Sequence, residues 1–446
     1  MGMFIFFITL ILEIALVIYC VVTKQYHRQL RNWVRVSTWI AFILLTLTSV
    51  IVWSLRWVLL GVLLTILAVI ATISLIRRNQ ATPATYKVSR IVRNAIMMII
   101  GLTIALAPAV VFPQHKAPKV TGKYEVETAT FTYVDENRIE EFTDTGKNRF
   151  VNVEFWYPQD AKETYPLLVF SHGAYGIKSS NTSTYTELAS HGYVVVSIDH
   201  PYHSFYTVSD DGTRTMISSE YMREFNDSNK DGIYTVEELY ALFQKWMKLR
   251  KDDMNFVIDT ILRKTKTDNN PIYQHINTDK IGVFGHSMGG SASVSLGKER
   301  KDISAVVNID APFFSELVYD PQLHDLAASG EAYTTPLLNI YSDDVWVQLG
   351  KNSSYAANNA CDKNCKEAYT VYFEGAKHLS LTDLPLFSPM LANFLQRGKA
   401  NIDPYDCIET ENTLILQFFD DKLKGMGSFA DTADVSSTRI IHSPIN

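Results

Sequence analysis

Ser287 sits in Gly285-His286-Ser287-Met288-Gly289, directly after the β-branched and aromatic run at 281–284 and before a glycine-, alanine- and serine-rich stretch of helical character. In a G-x-S-x-G turn between a strand and a helix, the glycines allow a strained corner that lifts the serine hydroxyl clear of the sheet. The N-terminus of the following helix favours negative charge developing there. A serine hydroxyl is a weak nucleophile until a base takes its proton, so a histidine must come within hydrogen-bond reach. Three histidines follow Ser287: His324, His378 and His442. His324 precedes two further strand-like runs and His442 lies in the tail, whereas His378, in "YFEGAKHLSLTD", follows a strand in a loop and is the expected base.

The third member is open on spacing alone. Asp310 closes "AVVNID", and Asp343 and Asp344 close "LLNIYSDD"; either strand end can orient an imidazole. Two backbone N–H donors are needed to hold the negative oxygen that forms on attack. One is expected from Met288, next to the nucleophile, and the other from Ala174 in "VFSHGAYG". His172 is read as a brace for that loop, and His200 and His203 in "DHPYHS" as pocket-lining or structural residues.

A second constellation lies between these motifs. Residues 227–239, "DSNKDGIYTVEEL", match D-x-[DN]-x-[DN]-G-x5-E. In such a loop Asp227, Asn229 and Asp231 supply side-chain oxygens and Ile233 its carbonyl. Thr235 holds the position often filled through water, and Glu238 closes the set with two oxygens. Calcium is the expected ion, as a structural clamp in an insertion at 220–250; no cofactor is expected for the chemistry at Ser287.

The elements that must position these residues are strand-like runs alternating with helical ones. "FVNVEFWYP", "YPLLVFSHG", "YVVVSID", "KIGVFG", "ISAVVNID", "TPLLNIYSDD" and "AYTVYFEG" are short, nearly continuous apolar strands. Between or after them come the helical "TYTELASHG", residues 236–264, "GGSASVSLGKER" and "LPLFSPMLANFLQ". This pattern describes a mostly parallel sheet with helices on both faces, an α/β domain. The candidate triad and oxyanion residues sit at or just past the carboxyl ends of strands, where ligands gather in such sheets.

Ahead of this domain stand four apolar runs, at 3–22, 36–53, 57–76 and 95–112, each approaching the roughly 20 residues that a helix needs to cross a bilayer. Residues 1–120 hold twelve Lys or Arg and one acid, Glu13; the remainder holds 29 basic and 46 acidic residues, so the net charge of −6 divides into +11 and −17. An acidic soluble part excludes a nucleic-acid partner of the usual kind, which needs a basic face. Cations cluster in the links after the first run (Lys24, Arg28, Arg31, Arg35) and after the third (Arg77, Arg78, Lys87, Arg90, Arg93). By the positive-inside rule those links are cytoplasmic. The expectation is a multi-pass cell-membrane protein with its N-terminus and everything after about residue 113 outside the cytoplasm. A cleaved signal peptide is disfavoured by the missing basic leader, and myristoylation by Phe6. An isolated Glu13 makes a poor ion pathway and is expected protonated or paired to another helix.

The expected domains are therefore a four-helix transmembrane region at 1–113, a linker at 114–123, the α/β domain at 124–424 and an extended or loosely docked tail at 425–446. Four cysteines are too few for a disulfide scaffold. "CDKNC" suggests a local bridge between Cys361 and Cys365, and without paired Cys or His ligands zinc is not expected.

Five motifs in order, "PLLVFSHGAYG", "LASHGYVVVSIDHPYHS", "KIGVFGHSMGG", "VVNIDAPFF" and "EGAKHLSLTDLP", resemble the platelet-activating factor acetylhydrolases of the plasma, or type II, kind over about 124–396. The resemblance implies an α/β-hydrolase fold and metal-independent cleavage of short or oxidised acyl chains from phospholipids. It also implies Asp310 as the acid, since the family's acid closes the strand after the nucleophile helix. Asp343 is the reserve, because cutinase-like polyester hydrolases, which share "GHSMGG", take their acid one strand later. The four apolar runs and the calcium loop depart from the family as resembled. Three readings follow: a membrane-anchored serine esterase or lipase acting on lipid or small acyl esters, a cutinase-like esterase, and a calcium-binding membrane protein whose hydrolase domain only binds ligands.

Overall fold

The computed structural model describes residues 2–77, 86–159, 163–432 and 438–443; Arg78, one of the cations used above for orientation, lies outside them. The chain divides into two compact units, Met1–Lys116 with Phe387–Leu391, and Ala117–Leu386 with Ala392–Asn446.

The first unit holds four helices, α1 (Gly2–Thr23), α2 (Arg28–Leu47), α3 (Leu55–Ile76) and α4 (Val88–Val111). Three of them, α1, α3 and α4, are long and apolar enough to cross a membrane by length and composition. The second apolar run, expected at 36–53, makes the remaining helix, displaced toward the N-terminus from that run. Helix α2 starts inside the cationic link, carrying Arg28, Arg31 and Arg35, and ends at Leu47. Ser49 then turns in the left-handed region (φ 57°), so the apolar residues 48–53 do not extend the helix. Glu13, on α1, takes the helix-paired alternative: Arg35 of α2 reaches its carboxylate through Nε (2.6 Å) and Nη2 (3.1 Å).

The second unit is built on a nine-stranded sheet. Its strands in chain order are β1 (Val126–Ile139), β2 (Asn148–Pro158), β3 (Tyr165–Ser171), β4 (Val194–Asp199), β5 (Ile276–His286), β6 (Ile303–Ile309), β7 (Leu337–Ser342), β8 (Ala368–Phe373) and β9 (Thr438–Ser443). The spatial order is β1-β2-β4-β3-β5-β6-β7-β8-β9. From β4 across to β8 neighbouring strands are parallel, and β1, β2 and β9 join antiparallel at the two sides. Strand β1 was not read from the sequence. Strand β9, within the segment expected to be an extended or loosely docked tail, pairs in register with β8.

Side chains alternate between two cores because successive residues of a strand point to opposite faces. Leu167, Val169, Val194, Val196, Ile281 and Val283 pack with Trp246, Met254, Val257 and Ile261 of α7 (Val236–Thr267). Leu168, Phe170, Val195 and Phe284 face the other way. They meet Tyr185 and Leu188 of α5 (Thr182–Ser190), and Ile415, Phe418 and Phe419 of α9 (Pro404–Phe419). Strands β3 and β4 are buried along their whole length, which is why they read as apolar runs without polar alternation. Each fully buried aliphatic side chain contributes about 1.5–3 kcal/mol, and the two covered faces hold the strand ends rigidly for the loops beyond them.

Candidate active site

Strand β5 ends in Gly285-His286, and helix α8 (Met288–Glu299) begins one residue after Ser287. Ser287 has φ 54° and ψ −127°, a region that non-glycine residues enter only when their surroundings force them. Two glycines supply the space. A Cβ on Gly285 would lie 2.3 Å from the carbonyl carbon of Gly289, and a Cβ on Gly289 would lie 1.9 Å from the carbonyl oxygen of Ser171. The Ser287 N–H donates to Ile309 O (2.7 Å), tying the corner to the next strand.

Asp310 follows β6, again with positive φ (56°). Its carboxylate accepts from the backbone N–H of Ser342 (2.7 Å), from Ser342 Oγ (2.7 Å) and from Nδ1 of His378 (2.7 Å). His378 lies just after β8, opening a short 3-10 turn, His378–Leu381. Burial by itself lowers the His378 pKa; the hydrogen bond to Asp310 and the charge of that carboxylate, with Asp344 adding to it, leave it raised above the ordinary value. With Nδ1–H directed at Asp310, Nε2 is the ring nitrogen with a lone pair to take a proton.

The two acids at the end of β7 serve the histidine's loop. Asp344 accepts from the His378 N–H (3.0 Å) and from Lys377 Nζ (3.1 Å). Asp343 accepts from Tyr372 Oη (2.6 Å) and the Gly375 N–H (3.1 Å). The His378 carbonyl accepts from His286 Nε2 (2.9 Å), whose ring stands 4.6 Å from that of His378. His324 is exposed beside Tyr319 Oη (3.2 Å) on a turn between two short strands, away from these contacts.

The loop after β3 lies against the nucleophile corner. A Cβ on Gly173 would be 3.1 Å from Ser287 Cβ and 3.0 Å from His286 Nδ1, so Gly173 stands directly beside Ser287. His172 braces this loop: Nδ1 donates to Gly173 O (2.6 Å) and Nε2 accepts from Ser204 Oγ (2.7 Å). Met288, which follows the nucleophile, receives the hydroxyl of Tyr221 on its sulfur (3.3 Å). His203 stacks on Tyr221 with ring centroids 3.7 Å apart. His172, His203 and His286 are fully buried, which pushes their pKa values well down.

A buried polar chain behind the loop was not read from the sequence. Ser171 Oγ donates to His200 Nε2 (2.9 Å), and His200 Nδ1 donates to Asp253 (3.0 Å). Burial, with the charge of Arg250, lowers the His200 pKa to about 4. Asp253 also takes Arg149 (2.7 Å) and Arg138 (2.9 Å). Burial alone would raise the Asp253 pKa; Arg149 and His200 outweigh it and hold it well below the carboxylate range. The signal in the sequence is two charged residues, Arg250 and Asp253, spaced to share the face of α7 that carries Trp246, Met247, Met254 and Val257.

The candidate calcium loop joins α6 (Ser219–Ser228) to α7. Asp227 lies in the last turn of α6, and Gly232 takes the positive φ (76°) of the sharp turn. Thr235 caps α7: its Oγ1 accepts from the Glu238 N–H (3.2 Å) while Glu238 Oε2 accepts from the Thr235 N–H (2.8 Å). The helix-loop-helix frame and the hard oxygen donors fit the expected motif. The carboxylates do not converge: Lys230 Nζ holds Asp227 (2.7 Å), Asn229 Nδ2 donates to Phe225 O (2.7 Å), and among the described residues no three His, Cys, Asp or Glu side chains form a metal-binding group. Cys361 and Cys365 form a disulfide, and Cys20 and Cys407 are buried free thiols.

Comparison with known proteins gives the chain's family and fold. The sequence model of a family described as platelet-activating factor acetylhydrolase, isoform II, matches residues 140–437. The chain is 23% identical to a platelet-activating factor acetylhydrolase of Bos taurus over 282 residues, covering 57% of this chain and 56% of that protein. It thus spans little more than half the length of that relative. It is 24% identical to cutinase est2 of Thermobifida alba, covering 55% of this chain and 70% of that protein. A solved ferulic acid esterase from Streptomyces cinnamoneus superposes with a TM-score of 0.57 at 19% identity, covering 73% of this chain and 99% of that one, which shows a shared α/β-hydrolase fold.

Proposed function

The chain belongs to the platelet-activating factor acetylhydrolase isoform II family, and on that premise we propose that it is a membrane-anchored serine esterase or lipase that hydrolyses acyl esters of phospholipid type outside the cytoplasm, with Ser287, Asp310 and His378 as its triad. The single observation that carries this reading is the 2.7 Å hydrogen bond from His378 Nδ1 to Asp310, formed at the carboxyl ends of the strands, where the strained Ser287 corner also lies.

His378 Nε2 takes the proton of Ser287 Oγ as that oxygen attacks the ester carbonyl carbon. The carbonyl electron pair moves onto oxygen, which the N–H groups of Ala174 and Met288 receive. Collapse of the tetrahedral intermediate breaks the bond to the alcohol, and His378 returns its proton to that leaving oxygen. Water then attacks the acyl-serine by the same route, releasing the acid and restoring Ser287. Asp310 holds the imidazole in the Nδ1–H form and offsets the positive charge it acquires.

The first unit is the anchor. In this reading α2 crosses together with α1, α3 and α4, its Arg35 neutralised by Glu13, and four crossings put both the N-terminus and the second unit outside. Asp227, Asn229, Asp231, Ile233, Thr235 and Glu238 would hold a calcium ion once their oxygens are drawn together, and the bound ion would order the 220–250 insertion. The similarity to a cutinase favours a second reading, hydrolysis of polyester or other carboxylic esters by the same triad.

Covalent labelling with a fluorophosphonate tests the proposal. The detergent-solubilised chain is expected to be labelled at one site, and Ser287→Ala to abolish the label. Undiminished labelling of that variant defeats the assignment of the nucleophile, and an unlabelled wild-type chain favours a ligand-binding protein without hydrolysis.

A further inference from the structure

Arg250 lies in the middle of α7 and is fully buried. Taking a guanidinium out of water costs several kcal/mol unless its donors find good partners. The carboxylate one turn along, Asp253, is taken up by Arg149 and Arg138. Arg250 instead aims its fork at the loop after β3. Nη1 donates to the carbonyl of His172 and, at 3.4 Å, to Ser171 Oγ, while Nη2 donates to the carbonyl of Gly173 at 3.3 Å.

The Gly173 carbonyl and the Ala174 N–H belong to one planar trans peptide unit, so they point in opposite directions. Anchoring the carbonyl therefore aims the N–H. Three donors converge on Gly173 O: Arg250 Nη2, His172 Nδ1 at 2.6 Å and the Gly176 N–H at 3.1 Å. The same loop runs beside Ser287, with the Cβ position of Gly173 3.1 Å from Ser287 Cβ. A cation bonded to the carbonyl also polarises the peptide and strengthens its N–H as a donor.

We infer that Arg250 is the positioning residue of the oxyanion hole: its guanidinium straps the carbonyls of His172 and Gly173 to α7 and thereby directs the Ala174 N–H at the oxygen that turns negative when Ser287 attacks. The inference rests on the hydrolase reading above, and it assigns Arg250 a role in transition-state stabilisation without contact to substrate.

The test uses the full chain in detergent with p-nitrophenyl acetate and with a trifluoromethyl ketone, whose adduct with serine mimics the tetrahedral oxyanion. Arg250→Gln is expected to lower kcat about 10- to 100-fold, by analogy with the loss of one aimed donor. KM is expected to stay within about threefold, and affinity for the ketone to fall by the same factor as kcat. Arg250→Lys, which keeps the charge and can reach only one carbonyl at a time, is expected to fall between wild type and the glutamine variant. A folded glutamine variant that loses thermal stability but keeps kcat and ketone affinity within twofold overturns the inference. If the glutamine variant does not fold, the lysine variant decides alone: a matched fall in kcat and ketone affinity supports the strap, and unchanged values overturn it. Fluorophosphonate labelling of wild type separates the two failures. No label removes the hydrolase reading and this inference with it, whereas a labelled wild type with an unaffected Arg250 variant removes the inference alone.

Discussion

Nδ1 of His378 and Oδ2 of Asp310 stand 2.7 Å apart although 68 residues separate them in the chain. The strand after the nucleophile helix supplies the carboxylate, and β7 and β8 carry the chain onward and return the imidazole to it. The acids at the end of β7 are committed to the backbone and side chains of the same loop.

This division of labour predicts unequal effects. Asp310→Asn leaves the imidazole with the wrong tautomer and is expected to lower kcat about 10⁴-fold, as removal of the carboxylate does in a serine protease triad. Asp343→Asn removes one brace of the Gly375 turn and is expected to cost about tenfold or less. Steady-state kinetics on both variants decide the matter, and a larger loss in the Asp343 variant would move the acid one strand later.

The raised pKa of His378 carries a pH signature. His378 acts as base only when neutral, so activity falls as pH drops through its pKa. Because Asp310 raises that pKa, the acid limb of kcat/KM is expected to have its midpoint above the ordinary 6.5. In Asp310→Asn the raising influence is gone while burial still lowers the pKa, so the midpoint of the residual activity moves down. A limb unchanged between the two proteins would assign it to another group.

Gly289→Ala tests the corner itself. The added methyl would fall 1.9 Å from Ser171 O, a backbone atom that belongs to the β3 edge. Overpacking of this kind costs about 1–3 kcal/mol or more, so the variant is expected to lower Tm by several degrees and to abolish turnover. A variant with wild-type stability and activity would contradict the close packing of α8 on β3.

Calcium binding is checked by calorimetry on the full chain at millimolar calcium. Binding with a Kd of about 10⁻⁴–10⁻³ M is expected, the range of extracellular modules, with no heat from Glu238→Gln. Because Lys230 holds Asp227, Lys230→Ala is expected to tighten binding. Absence of any heat in wild type removes the calcium proposal.

Local signals made much of this molecule legible. Seven of the sheet strands, the helices around Ser287 and the length of α7 followed from apolar runs and turn residues, because burial on both faces of a parallel sheet leaves an unbroken apolar imprint on the chain. Three apolar helices follow from runs long enough to cross a bilayer. The bounds of α2 differ from its apolar run because hydropathy registers side chains and not the backbone turn at Ser49, and β1, with half-exposed alternation, leaves a weaker imprint than a buried strand.

Residue types along the chain were enough to nominate Ser287, His378 and Ala174, since a strained corner, a loop histidine and a glycine-bearing turn are local features. Which carboxylate meets the imidazole was left open between two strand ends, because that distance depends on how far each strand projects and which way its last residue turns. Only the packed sheet brings Asp310 to the ring and directs Asp343 and Asp344 to the loop. Tertiary structure alone likewise turns Arg250 and Asp253 inward: a helix sequence records that two charges share a face, while the carbonyls and rings that accept them come from loops more than 50 residues away.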